Sequence, residues 1–170
     1  MRKQPAQLAQ LEGRREKQLG FSLIELLIVV TVILIIAAIA IPNFVRSRLR
    51  ANETAAVQNL RNITTANVVY LTTYGIGFAD SLAKLGGNGV IVDSTAAGLI
   101  DSVLSTGIKT GYSFTYTVSA TDAAGQVVSY TITTEPTNVG STGERYFFTD
   151  QSGVIRQNTA GPAGPSDIPI

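Results

Sequence analysis

From Leu26 to Ile41 the chain reads LLIVVTVILIIAAIAI, with Thr31 as its single polar member. Taken back to Ser22, the stretch reaches twenty residues, and twenty helical residues span about 30 Å, the thickness of a bilayer's hydrocarbon core. The β-branched content would suit a buried strand, but strand cores run about 4–8 residues, so length selects a helix. A secretory signal peptide has an apolar part of about 7–15 residues followed by a small-residue cleavage site. Here Ala37–Ala40 lie inside the run, and Pro42-Asn43-Phe44 leads on into a helical pattern. The segment reads as a membrane-spanning helix.

The charges are divided around it. Residues 1–20 carry Arg2, Lys3, Arg14, Arg15 and Lys17 against Glu12 and Glu16, a net of +3, whereas residues 51–170 carry five basic and nine acidic residues, a net of −4. The basic head predicts a cytoplasmic N-terminus with the bulk of the chain on the far side. Arg46, Arg48 and Arg50 oppose this orientation, but the five basic residues ahead of the run outnumber them. The formal net charge of the whole chain is +1, which gives no reason to expect nucleic acid as a partner. With no His and no Cys, histidine acid/base catalysis, cysteine nucleophiles, disulfides and His/Cys zinc sites are excluded. No general base accompanies any Ser, so the chain reads as non-enzymatic, and no cofactor or metal is expected.

The string GFSLIELLIVVTVILIIAAIAIPNF, residues 20–44, resembles the N-terminal signature of type IV pilins and of the related pseudopilins of type II secretion. A basic leader ends in Gly20; then come Phe21, Glu25, the apolar run and Pro42. The resemblance implies that a prepilin peptidase cuts between Gly20 and Phe21 on the cytoplasmic side. The same enzyme would methylate the new terminus, making Phe21 an N-methylphenylalanine. It further implies insertion in a bacterial inner membrane, a pilus assembly machinery, and polymerisation into an extracellular homo-oligomeric filament. In that filament Glu25 of one subunit would pair with the Phe21 amine of its neighbour.

The residues are consistent with these roles. Gly20 leaves the backbone open to a peptidase. A lone carboxylate in a membrane helix costs about 2.5–3.5 kcal/mol or more, and Ser22–Asn43 contains no Lys or Arg to pair with Glu25. Cleavage would create a cation, the Phe21 α-amine, with an ordinary pKa of about 8. Pro42 removes one backbone hydrogen bond from a helix and tends to kink it.

Beyond Pro42, Leu49, Ala56, Leu60, Ile63 and Tyr70 repeat at helical spacing, and the stripe continues to Tyr74 before Gly75 and Gly77. A helix from Phe21 to Tyr74 would be about 81 Å long. Its second half is amphipathic and needs a lid. Asp80–Leu85 reads as a short helix with Asp80 as N-cap, and Thr95–Ser105 as another, capped by Ser94 or Thr95. Period-two alternation then predicts two strands, with Tyr112, Phe114, Tyr116 and Val118 on one buried face and Val128, Tyr130 and Ile132 on the other. Asp122–Gly125 is their turn. Arg145–Thr149 and Val154–Arg156 form a second hairpin around Asp150–Gly153, Glu135–Gly143 is a loop, and Gly161–Ile170 is irregular. The Asp150 turn has too few oxygens for calcium, which wants six to eight.

The expected organisation is therefore a cleaved leader at 1–20, a membrane and filament-core helix at 21–42, and its amphipathic continuation at 43–75. A connecting region at 76–110, a sheet at 111–158 and a tail at 159–170 follow. The fold class is α+β, a pilin fold in which a long helix packs on a roughly four-stranded antiparallel sheet. The expected function is that of a pilus subunit serving adhesion, motility or DNA uptake. A major pseudopilin of type II secretion is the near alternative, and a single-pass membrane-anchored ligand-binding protein the distant one.

Overall fold

The computed structural model describes residues 20–87 and 92–170. The leader expected at 1–20 thus lies outside the described residues except for Gly20. The chain divides into two compact units at the Ile41/Pro42 junction. Helix α1 (Leu23–Tyr74) includes Pro42, so the proline falls within a helix rather than ending one.

In the first unit, α1 as far as Ile41 is apolar and exposed on every face. Beyond Glu25 in the first turn its one polar side chain, Thr31, donates from its hydroxyl to the Leu27 carbonyl at 2.8 Å, which lets a hydroxyl sit in an apolar helix without an unmet donor.

In the second unit, the same helix from Pro42 onward buries one stripe: Leu49, Ala56, Leu60, Ile63, Ala66 and Tyr70, at the three- and four-residue spacing of one face. Gly75 ends it with φ +66°, its N–H donating to the Leu71 carbonyl at 3.0 Å, a left-handed cap that costs glycine nothing. The lid is α2 (Leu82–Leu85), α3 (Ser102–Ser105) and an antiparallel meander, β1 (Ile108–Lys109), β2 (Tyr112–Thr121), β3 (Val127–Pro136), β4 (Tyr146–Asp150), β5 (Arg156–Asn158) and β6 (Ile168–Pro169), each strand beside the next in sequence. Tyr112, Phe114, Tyr130, Ile132 and Phe147 from the sheet, Ile155 from the segment before β5, and Leu85 and Leu104 from the short helices close over Leu60 and Ile63. Tyr116 and Tyr130 stack with ring centroids 5.1 Å apart. The α+β architecture is as expected, with six strands in place of about four.

The differences have local causes. Val127, not Val128, is buried, because two register shifts leave Ser119 and Val128 as extra residues and restart the alternation beyond them. Val127 is then placed to accept from Phe78 N–H at 2.8 Å, beside Gly77, whose φ of +86° no side chain would tolerate easily. Asp80 is not an N-cap. Ser81 holds that position without a capping bond, while Asp80 pairs with Lys84 at 2.7 Å. The helix expected over Thr95–Ser105 shrinks to α3, whose N-cap is Asp101. Asp93 accepts from Thr95 N–H, Thr95 Oγ1–H and Ala96 N–H, fixing a turn there. Ala97, Gly98 and Leu99 then spend their N–H groups on Lys84, Gly86 and Leu85. A backbone so committed cannot be helical.

In the second hairpin, Val154 and Ile155 stay outside the ladder and β5 begins at Arg156. The Pro/Gly-rich tail is not wholly irregular. It returns as β6 against β5, held by Asp167, whose carboxylate accepts from Asn158 Nδ2 at 3.2 Å and Gly164 N–H at 2.7 Å.

Candidate processing and assembly segment

Gly20, Phe21 and Ser22 precede the first turn of α1 in non-helical backbone, and all three are exposed. Among the described residues nothing within 4 Å would meet a Cβ placed on Gly20, and its φ is not positive. The described part of the fold therefore makes no demand for glycine at that position. Phe21 is 78% exposed.

Ser22 occupies the N-cap position. Its carbonyl accepts the Leu26 N–H at 3.2 Å, the first bond of the helix, and its own N–H donates to Glu25 Oε2 at 2.9 Å. This is the backward half of a capping box, in which a carboxylate three residues into the helix satisfies the N-cap amide. The negative charge also faces the positive end of the helix dipole, a further favourable term of about 0.3–1 kcal/mol at an exposed site. Glu25 thus has a hydrogen-bond partner within the chain that an inventory of Lys and Arg misses. The Ser22-x-x-Glu25 spacing was the signal that could have shown it.

Gly20 and Phe21 stand immediately ahead of the first turn of α1, and Glu25 lies within that turn. Pro42 lies apart from them, at the far end of the apolar stretch. Between them the side chains of Leu23, Ile24, Leu26, Leu27, Ile28 and their successors to Ile41 are exposed around the full circumference of the helix. Soluble monomers rarely expose contiguous apolar patches beyond a few hundred Å². A helix hydrophobic all round is stable only inside lipid or among other helices. By length and composition α1 can cross a membrane.

Residues 15–41 match the family described as the prokaryotic N-terminal methylation motif. Part of the chain is also similar to type IV pilus proteins. It is 53% identical over 47 residues to the type IV major pilin protein PilA of Myxococcus xanthus, a match covering 28% of this chain and 21% of that protein. It is 45% identical over 51 residues to the type IV wide pilus major component PilA4 of Thermus thermophilus, covering 30% of this chain and 39% of that one. The chain thus spans between about a fifth and two fifths of the length of these relatives.

One further residue stands out beyond the matched motif. Glu53 lies on the buried stripe of α1, only 5% exposed, and its carboxylate accepts from the backbone N–H groups of Glu144 and Arg145 and from Arg145 Nε. Arg145 in turn donates to Gln157 at 2.8 Å, so one carboxylate ties α1 to the loop before β4 and through it to β5. The position was readable in part, since Glu53 falls four residues after Leu49 and seven before Leu60.

Proposed function

We propose that this chain is the structural subunit of a type IV pilus, made as a precursor, cut between Gly20 and Phe21, and methylated at Phe21. The stretch 21–42 would hold it in a bacterial inner membrane with its N-terminus cytoplasmic, and then form the core of a homo-oligomeric filament outside the cell. The partners are a prepilin peptidase that also methylates, the assembly machinery, and other copies of the chain.

One observation carries the proposal: a helical stretch apolar and exposed on every face among the described residues, opened by the Ser22–Glu25 cap at its first turn. At roughly 25 cal/mol per Å² such a surface must be covered, first by lipid and then by like helices. The freedom around Gly20 supports processing, because a glycine that the described part of the fold does not need is available to be read by another protein. Methylated Phe21 and Glu25 then complete the assembly site, the amine of an incoming subunit meeting the carboxylate of its neighbour. At about 4 Å and an effective dielectric near 20 that attraction is about 4 kcal/mol before desolvation. Both relatives are named as pilus components, which favours the pilus over the secretion pseudopilus.

The test is intact-mass spectrometry of filaments sheared from cells that express the chain. The expected mass lacks residues 1–20 and carries one added methyl on Phe21. A full-length subunit in assembled filaments, or no surface fibre containing the chain, would overturn the proposal.

A further inference from the structure

Three arginines, Arg46, Arg48 and Arg50, follow Ile41 within nine residues, with no Asp or Glu between Pro42 and Asn52. All three are exposed, and no carboxylate among the described residues lies within salt-bridge distance of them. Arg46 and Arg50 line a groove with Glu53, Glu144 and Arg145. Glu53 does not neutralise them, because its oxygens are taken by the Glu144 and Arg145 amides and the Arg145 guanidinium. Glu144 is exposed at the rim.

Along an α-helix Arg46 and Arg50 are about 40° apart, and Arg48 is about 200° round from Arg46. The charges therefore form a collar about the helix rather than one patch. A single docked partner meets one side of a helix, whereas a lipid headgroup layer reaches every exposed side. The axial placement fits the same occupant, since the three positions begin about 7 Å past Ile41, and helical side chains lean back toward the N-terminus. The headgroup region adds about 5–7 Å beyond the hydrocarbon core on each side. Guanidinium groups match phosphate oxygens in pairs.

We infer that Arg46, Arg48 and Arg50 form a binding collar for the phosphates of anionic phospholipids in the leaflet on the far side of the membrane from the leader. The inference rests on the reading of residues 21–42 as a membrane span.

The full chain is reconstituted into nanodiscs made from an equal mixture of phosphatidylcholine and phosphatidylglycerol, and the lipids retained on the released protein are counted by native mass spectrometry. The basic leader contributes equally to all variants, so the readout is the difference between them. Each arginine near an anionic surface contributes about fivefold in association. The wild-type chain is expected to retain phosphatidylglycerol at least about fivefold above R46Q/R48Q/R50Q, and R46K/R48K/R50K to keep most of that excess. Equal retention by wild type and the glutamine variant overturns the inference. So does a loss of salt-sensitive cross-linked dimers in the glutamine variant with lipid retention unchanged, which assigns the arginines to a second copy of the chain. Alkaline extraction of the wild type from vesicles of the same composition separates the two readings. Release by alkali overturns the membrane span and the collar with it, whereas resistance with equal lipid retention overturns the collar alone.

Discussion

Glu53 and Arg145, 92 residues apart in sequence, meet with Glu53 Oε2 at 2.8 Å from Arg145 Nε. The carboxylate is almost wholly buried, while the arginine keeps about a third of its side chain in solvent. Removing one partner of a buried pair costs about 3–5 kcal/mol, and the exposure of Arg145 places this one at or below the lower end. Glu53→Ala in a fragment covering Pro42–Ile170 should therefore lose about 2–3 kcal/mol in urea unfolding, since two backbone amides lose their acceptor as well. Arg145→Ala should cost at least as much, because it strands the buried carboxylate. If both variants unfold at the wild-type midpoint, the ion pair is not formed in solution.

Gly143 tests the same corner from the opposite direction. A Cβ there would collide with the hydroxyl of Tyr112, which donates to the Arg145 carbonyl at 3.0 Å. The ring is fully buried and cannot swing aside without displacing Phe147. Gly143→Ala should cost about 1–3 kcal/mol through overpacking. Pairing it with Tyr112→Phe, which removes the colliding oxygen, should recover part of the loss. Equal losses in the single and double variants would contradict the proposed contact.

Burial raises the phenol pKa of Tyr130 to about 12, and burial likewise raises those of Tyr112 and Tyr116. A phenol whose folded pKa lies above its unfolded value of about 10 holds its proton more tightly in the fold. Its stabilisation is complete below pH 10 and is lost as pH climbs toward the folded value. The Pro42–Ile170 fragment should lose stability steadily from about pH 10 to 12, Tyr130 alone accounting for about 2 kcal/mol. The Tyr130 hydroxyl has no hydrogen-bond partner among the described residues, so Tyr130→Phe should be near neutral at pH 7 and less sensitive to alkali. A flat stability profile across that window would show the tyrosines to be solvated.

Where periodicity decided the structure, the sequence was easy to read. The stripe Leu49, Ala56, Leu60, Ile63 and Tyr70 is buried as its spacing demanded, and Tyr112, Phe114, Tyr130 and Ile132 face it. What escaped were features that depend on one backbone amide choosing between partners. The carbonyls of Lys84, Gly86 and Leu85 captured the Ala97, Gly98 and Leu99 amides inside the expected Thr95–Ser105 helix, and Asp167 gave the tail a reason to return as a strand. The bulge that buried Val127 leaves no trace in alternation until its register is known. At the N-terminus, the motif at Gly20, Phe21 and Glu25 stood in the sequence, but the partner of Glu25 is a backbone amide, which carries no charge to mark it.

That partner separates two roles for Glu25. If the carboxylate serves only to cap α1, Glu25→Gln keeps an acceptor for the Ser22 N–H and loses little, since a side-chain amide fills the same box position. If its charge docks the Phe21 amine of the next subunit, glutamine removes the attraction while leaving the cap in place. Every subunit in the filament would then hold an unpaired ammonium in an apolar core, a penalty of several kcal/mol. Glu25→Gln and Glu25→Leu should therefore both be cleaved and membrane-inserted normally, and both should give few or no filaments by electron microscopy. Mixed expression with wild type should restore fibres that carry rare mutant subunits. Wild-type filament yield from Glu25→Gln, with loss only in Glu25→Leu, would assign the residue to the capping box and remove it from subunit docking.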